Sequence, residues 1–133
     1  MDLPERIIPV PLHPFRLIRR GYNQALEISR SVSERLGVPL DYRSARRTRN
    51  TLPQFSLNPS ARAQNIRGAF TISNPGLSGT VAIVDDIVTT GHTANELAKQ
   101  LKSVGASVVY LWACALAEPE TSVQGSGIQV FNR

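Results

Sequence analysis

Thr80-Val81-Ala82-Ile83-Val84-Asp85-Asp86-Ile87-Val88-Thr89-Thr90-Gly91-His92-Thr93 is the stretch on which the fold turns. Thr80 to Val84 is a continuous β-branched and apolar run, the mark of a strand covered on both faces in a parallel sheet. A helix is expected next. Thr93-Ala94-Asn95-Glu96 fits a capping box, Leu97, Leu101 and Val104 repeat on one face, and Gly105 ends it. Ser107 to Ala117 then reads as a second buried strand. Strand, loop, helix and strand in that order form a βαβ unit with a right-handed crossover. Alternation of this kind predicts an α/β fold with a mainly parallel twisted sheet flanked by helices.

Outward from that unit the signals are shorter. Arg6 to Leu12 reads as a strand that gives way early to loop, because Pro9 and Pro11 interrupt it. Ala25, Ile28, Val32 and Leu36 recur at helical spacing from Asn23 to Leu36, and Gly37 and Pro39 stop that helix. Leu40 to Ala45 and Ala69 to Ser73 are expected strands, the latter followed by an Asn74-Pro75-Gly76 turn. Thr48 to Arg67 has no sustained period.

The 133 residues suit one domain, and 41% hydrophobic with 19% charged residues argues against disorder. The single cysteine, Cys114, excludes an internal disulfide within this sequence and sits among apolar neighbours, so a buried core thiol is expected. Val108 to Ala117, the longest apolar run, is too short for a membrane helix, which needs about 20 residues. No basic leader opens the sequence, and a cytoplasmic location with no membrane partner is expected. Charge is uneven: residues 1–67 hold twelve arginines against five acids, while residues 68–133 hold three cations against five acids. An anion would therefore be met by the N-terminal half.

The Asp85 to Thr93 segment carries the chemistry. A tight turn before a helix aims unpaired N–H groups at one point, where the helix dipole also favours an anion. Thr89, Thr90 and Thr93 add hydroxyl donors, and Gly91 lets the backbone turn and approach a ligand. Asp85 and Asp86 suit another partner: carboxylates accept from vicinal ribose hydroxyls and can hold a hydrated magnesium ion. A ribose 5-phosphate needs both halves. Singly, either aspartate also fits a turn cap and each threonine fits loop filler.

Two acids, two apolar residues and Thr-Thr-Gly-x-Thr after a buried strand resemble the phosphoribosyl pyrophosphate motif of type I phosphoribosyltransferases. Pro9-Val10-Pro11-Leu12-His13-Pro14, Arg19-Arg20-Gly21-Tyr22-Asn23-Gln24-Ala25, Thr51-x-Pro53-Gln54 and Arg62-x-x-Asn65-Ile66-Arg67-Gly68-Ala69-Phe70 are similar, in order, to the ComF (competence protein F) family. The resemblance spans about residues 6–117. It implies phosphoribosyl pyrophosphate as substrate, Mg2+ as cofactor and pentosyl transfer as the reaction, within nucleotide metabolism or DNA uptake in competence. Asp85 and Asp86 would be catalytic, reaching the metal through water, and Val88, Thr89, Thr90, Gly91, His92 and Thr93 would hold the 5′-phosphate. The family's cysteine-rich zinc module is not in this sequence, so a fragment or a truncated member is expected.

For the pyrophosphate, Arg20, Gly21, Asn23 and Gln24 are candidates because they sit between the first strand and a helix, where amides and a guanidinium can face one anion. Asn23 also fits a plain helix cap. Arg62 and Arg67 are further candidates in the Thr48 to Arg67 segment. That segment is expected to be a hood-like loop closing over the ligand; a fixed extension such as a β-hairpin is the alternative. His13 and Trp112 read as structural. No residue in the sequence identifies the acceptor, and a homodimer stays open. Against the transferase stands a non-catalytic ribose-phosphate module whose arginines hold nucleic acid or a partner protein.

Overall fold

The computed structural model describes residues 2–48, 60, 66–74, 76–88, 91–116 and 128–131. Strands β1 (Arg6–Pro9), β4 (Thr80–Val88), β5 (Val108–Leu116) and β6 (Ile128–Phe131) form one sheet in the order β1-β4-β5-β6. The first three are parallel, with Ile8 opposite Ile83 and Ile83 opposite Leu111, and β6 closes the edge antiparallel to β5. A second sheet pairs β2 (Ala45–Arg47) with β3 (Phe70–Ile72), antiparallel. The helices are α1 (Pro14–Arg20), α2 (Gln24–Leu36) and α3 (His92–Ser103).

Two-sided burial of β4 follows from alternation. Val81 and Ile83 point to a core shared with Leu97, Ala98 and Leu101 of α3, while Ala82 and Val84 point to one shared with Ile28 and Val32 of α2. Helices on both faces thus explain the unbroken apolar run. Gly105 follows α3 at φ 124°, and a Cβ there would lie 1.8 Å from the Leu77 carbonyl oxygen. Only glycine lets the chain turn so close to that backbone.

Several expectations need correcting. β4 does not stop at Val84: Asp85, Ile87 and Val88 continue the ladder against Ala113, Ala115 and Leu116. The acidic pair therefore stands on the end of a strand. The Thr93 capping box does not form; the cap is Gly91 at φ 82°, without a side-chain cap bond, and the helix starts at His92. Glu96 instead lies buried and accepts from the Gly68 N–H at 3.1 Å and from Gln100 at 3.2 Å. Leu40 makes one bridge to Ile7, and the strand expected from it begins only at Ala45. Asp41 intervenes: its carboxylate accepts from Ser44 Oγ (2.6 Å), the Ser44 and Arg43 N–H groups and Arg6 (2.7 Å), folding residues 41–44 into a turn. Cys114 is exposed. It shares a face of β5 with Tyr110 and Trp112, and α2 packs over β1 and β4 on that side.

Thr48 N–H donates to the Ala69 carbonyl at 2.8 Å, so the first residue of the expected hood is hydrogen-bonded to the chain two residues beyond its last, Arg67. Most of Thr48 to Arg67, including Arg62, lies outside the described residues, as do Thr89 and Thr90. Among the described residues no helix is long and apolar enough to cross a membrane.

Candidate functional site

Beyond the carboxyl end of β4 lies a cleft of about 260 Å³. Asp85, Asp86 and Ile87 of β4 and Thr93 of α3 form one side; Arg16 and Arg20 of α1, with Asn23, Gln24 and Ala25 at the start of α2, form the other. Arg47 of β2 completes it. Ligands in open α/β sheets bind outside such strand ends.

Local structure fixes each wall. Pro14 opens α1, and His13 caps it by accepting from the Phe15 N–H at 3.2 Å, which bears out a structural role for His13. Gly21 closes α1 in the left-handed conformation, φ 79°, so the chain reverses straight into α2. Asn23 caps α2 through Oδ1 to the Ala25 N–H (3.0 Å) and ties it to β1 through Nδ2 to the Val10 carbonyl (3.1 Å). Asn23 thus caps a helix, as one reading had it, and also lines the cleft.

The charges are crowded. Arg16 and Arg20 are four residues apart on one helix face, a spacing at which like charges repel. Burial, then Arg20, pulls the Arg16 guanidinium below its ordinary range. Arg47 is only 6% exposed, with its guanidinium 5.4 Å from the centre of the Phe70 ring. Opposite them, part of Asp85 is open to the cleft, yet protein surrounds most of its carboxyl. Burial, a hydrogen bond with the Asp86 side chain and the Asp86 charge push Asp85 up to about 8, against the smaller pull of the Asp86 N–H (2.9 Å) and Arg47. At neutral pH Asp85 therefore favours its protonated form.

That proton marks a place where positive charge is welcome. Two adjacent carboxylates suit a hard cation with oxygen ligands, and among the described residues no cluster of three or more His, Cys, Asp or Glu offers a complete cage. The donor set fits magnesium that keeps its waters and shares a phosphorylated ligand.

Of the residues expected from the sequence, Arg20, Asn23, Gln24, Asp85, Asp86 and Thr93 share this cleft. Gly91 and His92 stand at the N-terminus of α3, half-buried, and Val88 is buried beneath. Gly21 shapes the turn without lining the cleft, and Arg67 is exposed outside it. Arg16 and Arg47 were not anticipated. The Arg16–Arg20 spacing was a readable signal for the first, but α1 itself went unread.

A family described as phosphoribosyl transferase domain matches residues 22–124. Competence protein F of Haemophilus influenzae is 41% identical over 120 residues, covering 88% of this chain and 52% of that protein. DNA utilization protein YhgH of Escherichia coli K12 is 38% identical over 112 residues, covering 84% and 49%. The chain spans about half the length of these curated relatives. Among solved structures, the glutamine phosphoribosylpyrophosphate amidotransferase of B. subtilis, complexed with ADP and GMP, aligns with a TM-score of 0.55. The alignment covers 85% of this chain and 23% of that one at 17% identity, a likeness of fold alone.

Proposed function

Because the chain belongs to the phosphoribosyl transferase domain family and has the type I fold, we propose that its cleft binds phosphoribosyl pyrophosphate with magnesium and serves pentosyl transfer. One observation carries the reading: cations and amides from α1 and α2 meet the Asp85–Asp86 pair and Thr93 across a single small cavity. A ligand with a diphosphate at one end, vicinal hydroxyls between and a monophosphate at the other matches that division.

Each group then has a task. Arg16, Arg20 and Gln24 face the leaving pyrophosphate, where guanidinium donors work best against phosphate oxygens. Asp85 and Asp86 accept from the ribose hydroxyls and are the residues that would hold a bound magnesium ion. The N–H groups at the start of α3, uncapped by any side chain, receive the 5′-phosphate with Thr93. Bound magnesium would offset charge gathering on the leaving group. In the reaction an acceptor's lone pair bonds to ribose C1 while the C1–O bond breaks and pyrophosphate leaves with that pair. The protein's part is to orient, exclude water and stabilise the departing charge.

The test is thermal unfolding. Phosphoribosyl pyrophosphate with magnesium should raise the melting temperature, by about 2.7 kcal/mol of stabilisation at 100 times the dissociation constant. Asp85→Asn with Asp86→Asn should remove the shift and keep the circular dichroism of the wild type. A wild type that ignores millimolar ligand would refute the assignment.

A second reading, a module that holds nucleic acid, is favoured by α1. It buries no residue and exposes Phe15 and Ile18, 63% and 78%, among Arg16, Arg19 and Arg20. An exposed ring, Phe15, set among cations suits a stacked base of a single strand. Such binding should weaken steeply with salt in an anisotropy titration, and salt-independent affinity would argue against it.

A further inference from the structure

A second cavity, about 520 Å³, lies against the cleft and shares Leu12, Asn23 and Arg47 with it. Its body is apolar, formed largely by Pro9, Pro11, Leu17, Leu26 and Ala45. Among the described residues no aspartate or glutamate lines it; Arg46 and Arg47 do. Neither element of the proposed function uses this space.

The hydrogen-bonding capacity of its side chains is lopsided. Asn23 spends its oxygen on the Ala25 N–H and an amide hydrogen on the Val10 carbonyl. Thr48 Oγ1 is engaged with Thr71 and Ala69. His13 uses Nδ1 as acceptor for the Phe15 N–H, which puts the proton of the neutral ring on Nε2. The Tyr42 hydroxyl sits 3.4 Å from an Arg43 nitrogen that can only donate, so its own O–H remains to give. Arg46 adds a cation at the rim, where its side chain is exposed. Donors and positive charge therefore surround an apolar body, and among the described lining residues no carboxylate is present to read the N–H groups of a ligand.

We propose that this cavity is the acceptor site and takes an aromatic ring that carries a carboxylate and a neutral ring nitrogen. The inference rests on the reading of the adjacent cleft as the ribose-phosphate site. Proline and leucine walls favour the ring, and the donors favour the carboxylate. An aliphatic amine would arrive protonated, with its lone pair lost and its charge opposed by Arg46 and Arg47. A pyridine-type nitrogen stays neutral at pH 7. Its lone pair forms the bond to C1, the C1–O bond breaks, pyrophosphate takes the pair, and no proton has to move.

Titration calorimetry on the whole chain tests this, with pyridine-3-carboxylate, pyridine-3-carboxamide and uracil as probes, each with and without phosphoribosyl pyrophosphate and magnesium. The carboxylate should bind about tenfold tighter than the isosteric amide, as a charge-assisted hydrogen bond predicts. Arg46→Gln, an exposed change, should erase that preference and leave the amide unaltered. Leu17→Trp, on the exposed helix α1, should fill the cavity and abolish binding of both. Equal affinities, a preference for uracil, or indifference to both substitutions overturns the acceptor class. Phosphoribosyl pyrophosphate titrated into the same proteins separates the two claims. If it binds while the carboxylate shows no preference, only the acceptor inference falls; if it does not bind, the acceptor role falls with the reading beneath it.

Discussion

Asp85→Asn should stabilise the empty protein at neutral pH, by an amount that grows with pH. The folded state holds the Asp85 proton up to about 8, whereas the unfolded chain releases it near the ordinary 3.8. A group whose folded pKa is raised contributes most at the acid side and loses that contribution as pH rises. Between those two values the folded state carries one proton more than the unfolded chain. Stability then falls by about 1.4 kcal/mol for each pH unit on account of this residue alone. Asparagine keeps the size and neutrality of the protonated acid and does not titrate. Urea unfolding of both proteins at pH 5, 6 and 7 should give free-energy lines that diverge by roughly that slope, with the variant gaining as pH rises. Parallel lines would mean that Asp85 is already ionised in the folded protein, and would refute burial and Asp86 as the forces that set its state.

Asp41 should act in the opposite sense. Burial raises it, but hydrogen bonds from Ser44, Arg43 and Arg6 outweigh that and hold it below the usual carboxylate range. Its contribution is present above the ordinary pKa and is lost as pH falls through the depressed one, so Asp41→Asn should flatten acid unfolding below about pH 4. Gly105→Ala should cost about 1–3 kcal/mol or more in urea unfolding, since a left-handed φ and contact with the Leu77 carbonyl act together. A loss within about 0.5 kcal/mol would show that the turn relaxes freely.

The β4–α3–β5 unit was legible because each element buries an apolar face and so leaves a period in the sequence. The end of β4 was not. Asp85 and Asp86 look like loop residues by type, and only pairing with β5 makes them strand. α1 escaped for a related reason: none of its residues is fully buried, so no stripe announces it, although Pro14 at its start and Gly21 at its end were proper punctuation. Arg47 was hidden in an arginine-rich stretch that reads as solvated surface. Pairing of β2 with β3 turns Arg46 outward and Arg47 inward, a period too short to stand out in three residues. Asp85 and Asp86, with Arg20, Asn23 and Gln24, drew notice in the sequence by their types and their places after strands, and the fold brings these five to one cleft.

The hydrogen bond between Thr48 and Ala69 has a consequence for how this protein can vary. It pins both ends of the intervening stretch to the same rung of a two-stranded ladder, while Glu96 fixes Gly68 beside it from α3. Whatever is spliced between those anchors starts and finishes at one point in space. Doubling its length would then add only about 0.6 kcal/mol of closure entropy. Selection can lengthen, shorten or recompose that stretch while the strand ends that carry Arg47 and Asp85 stay where they are.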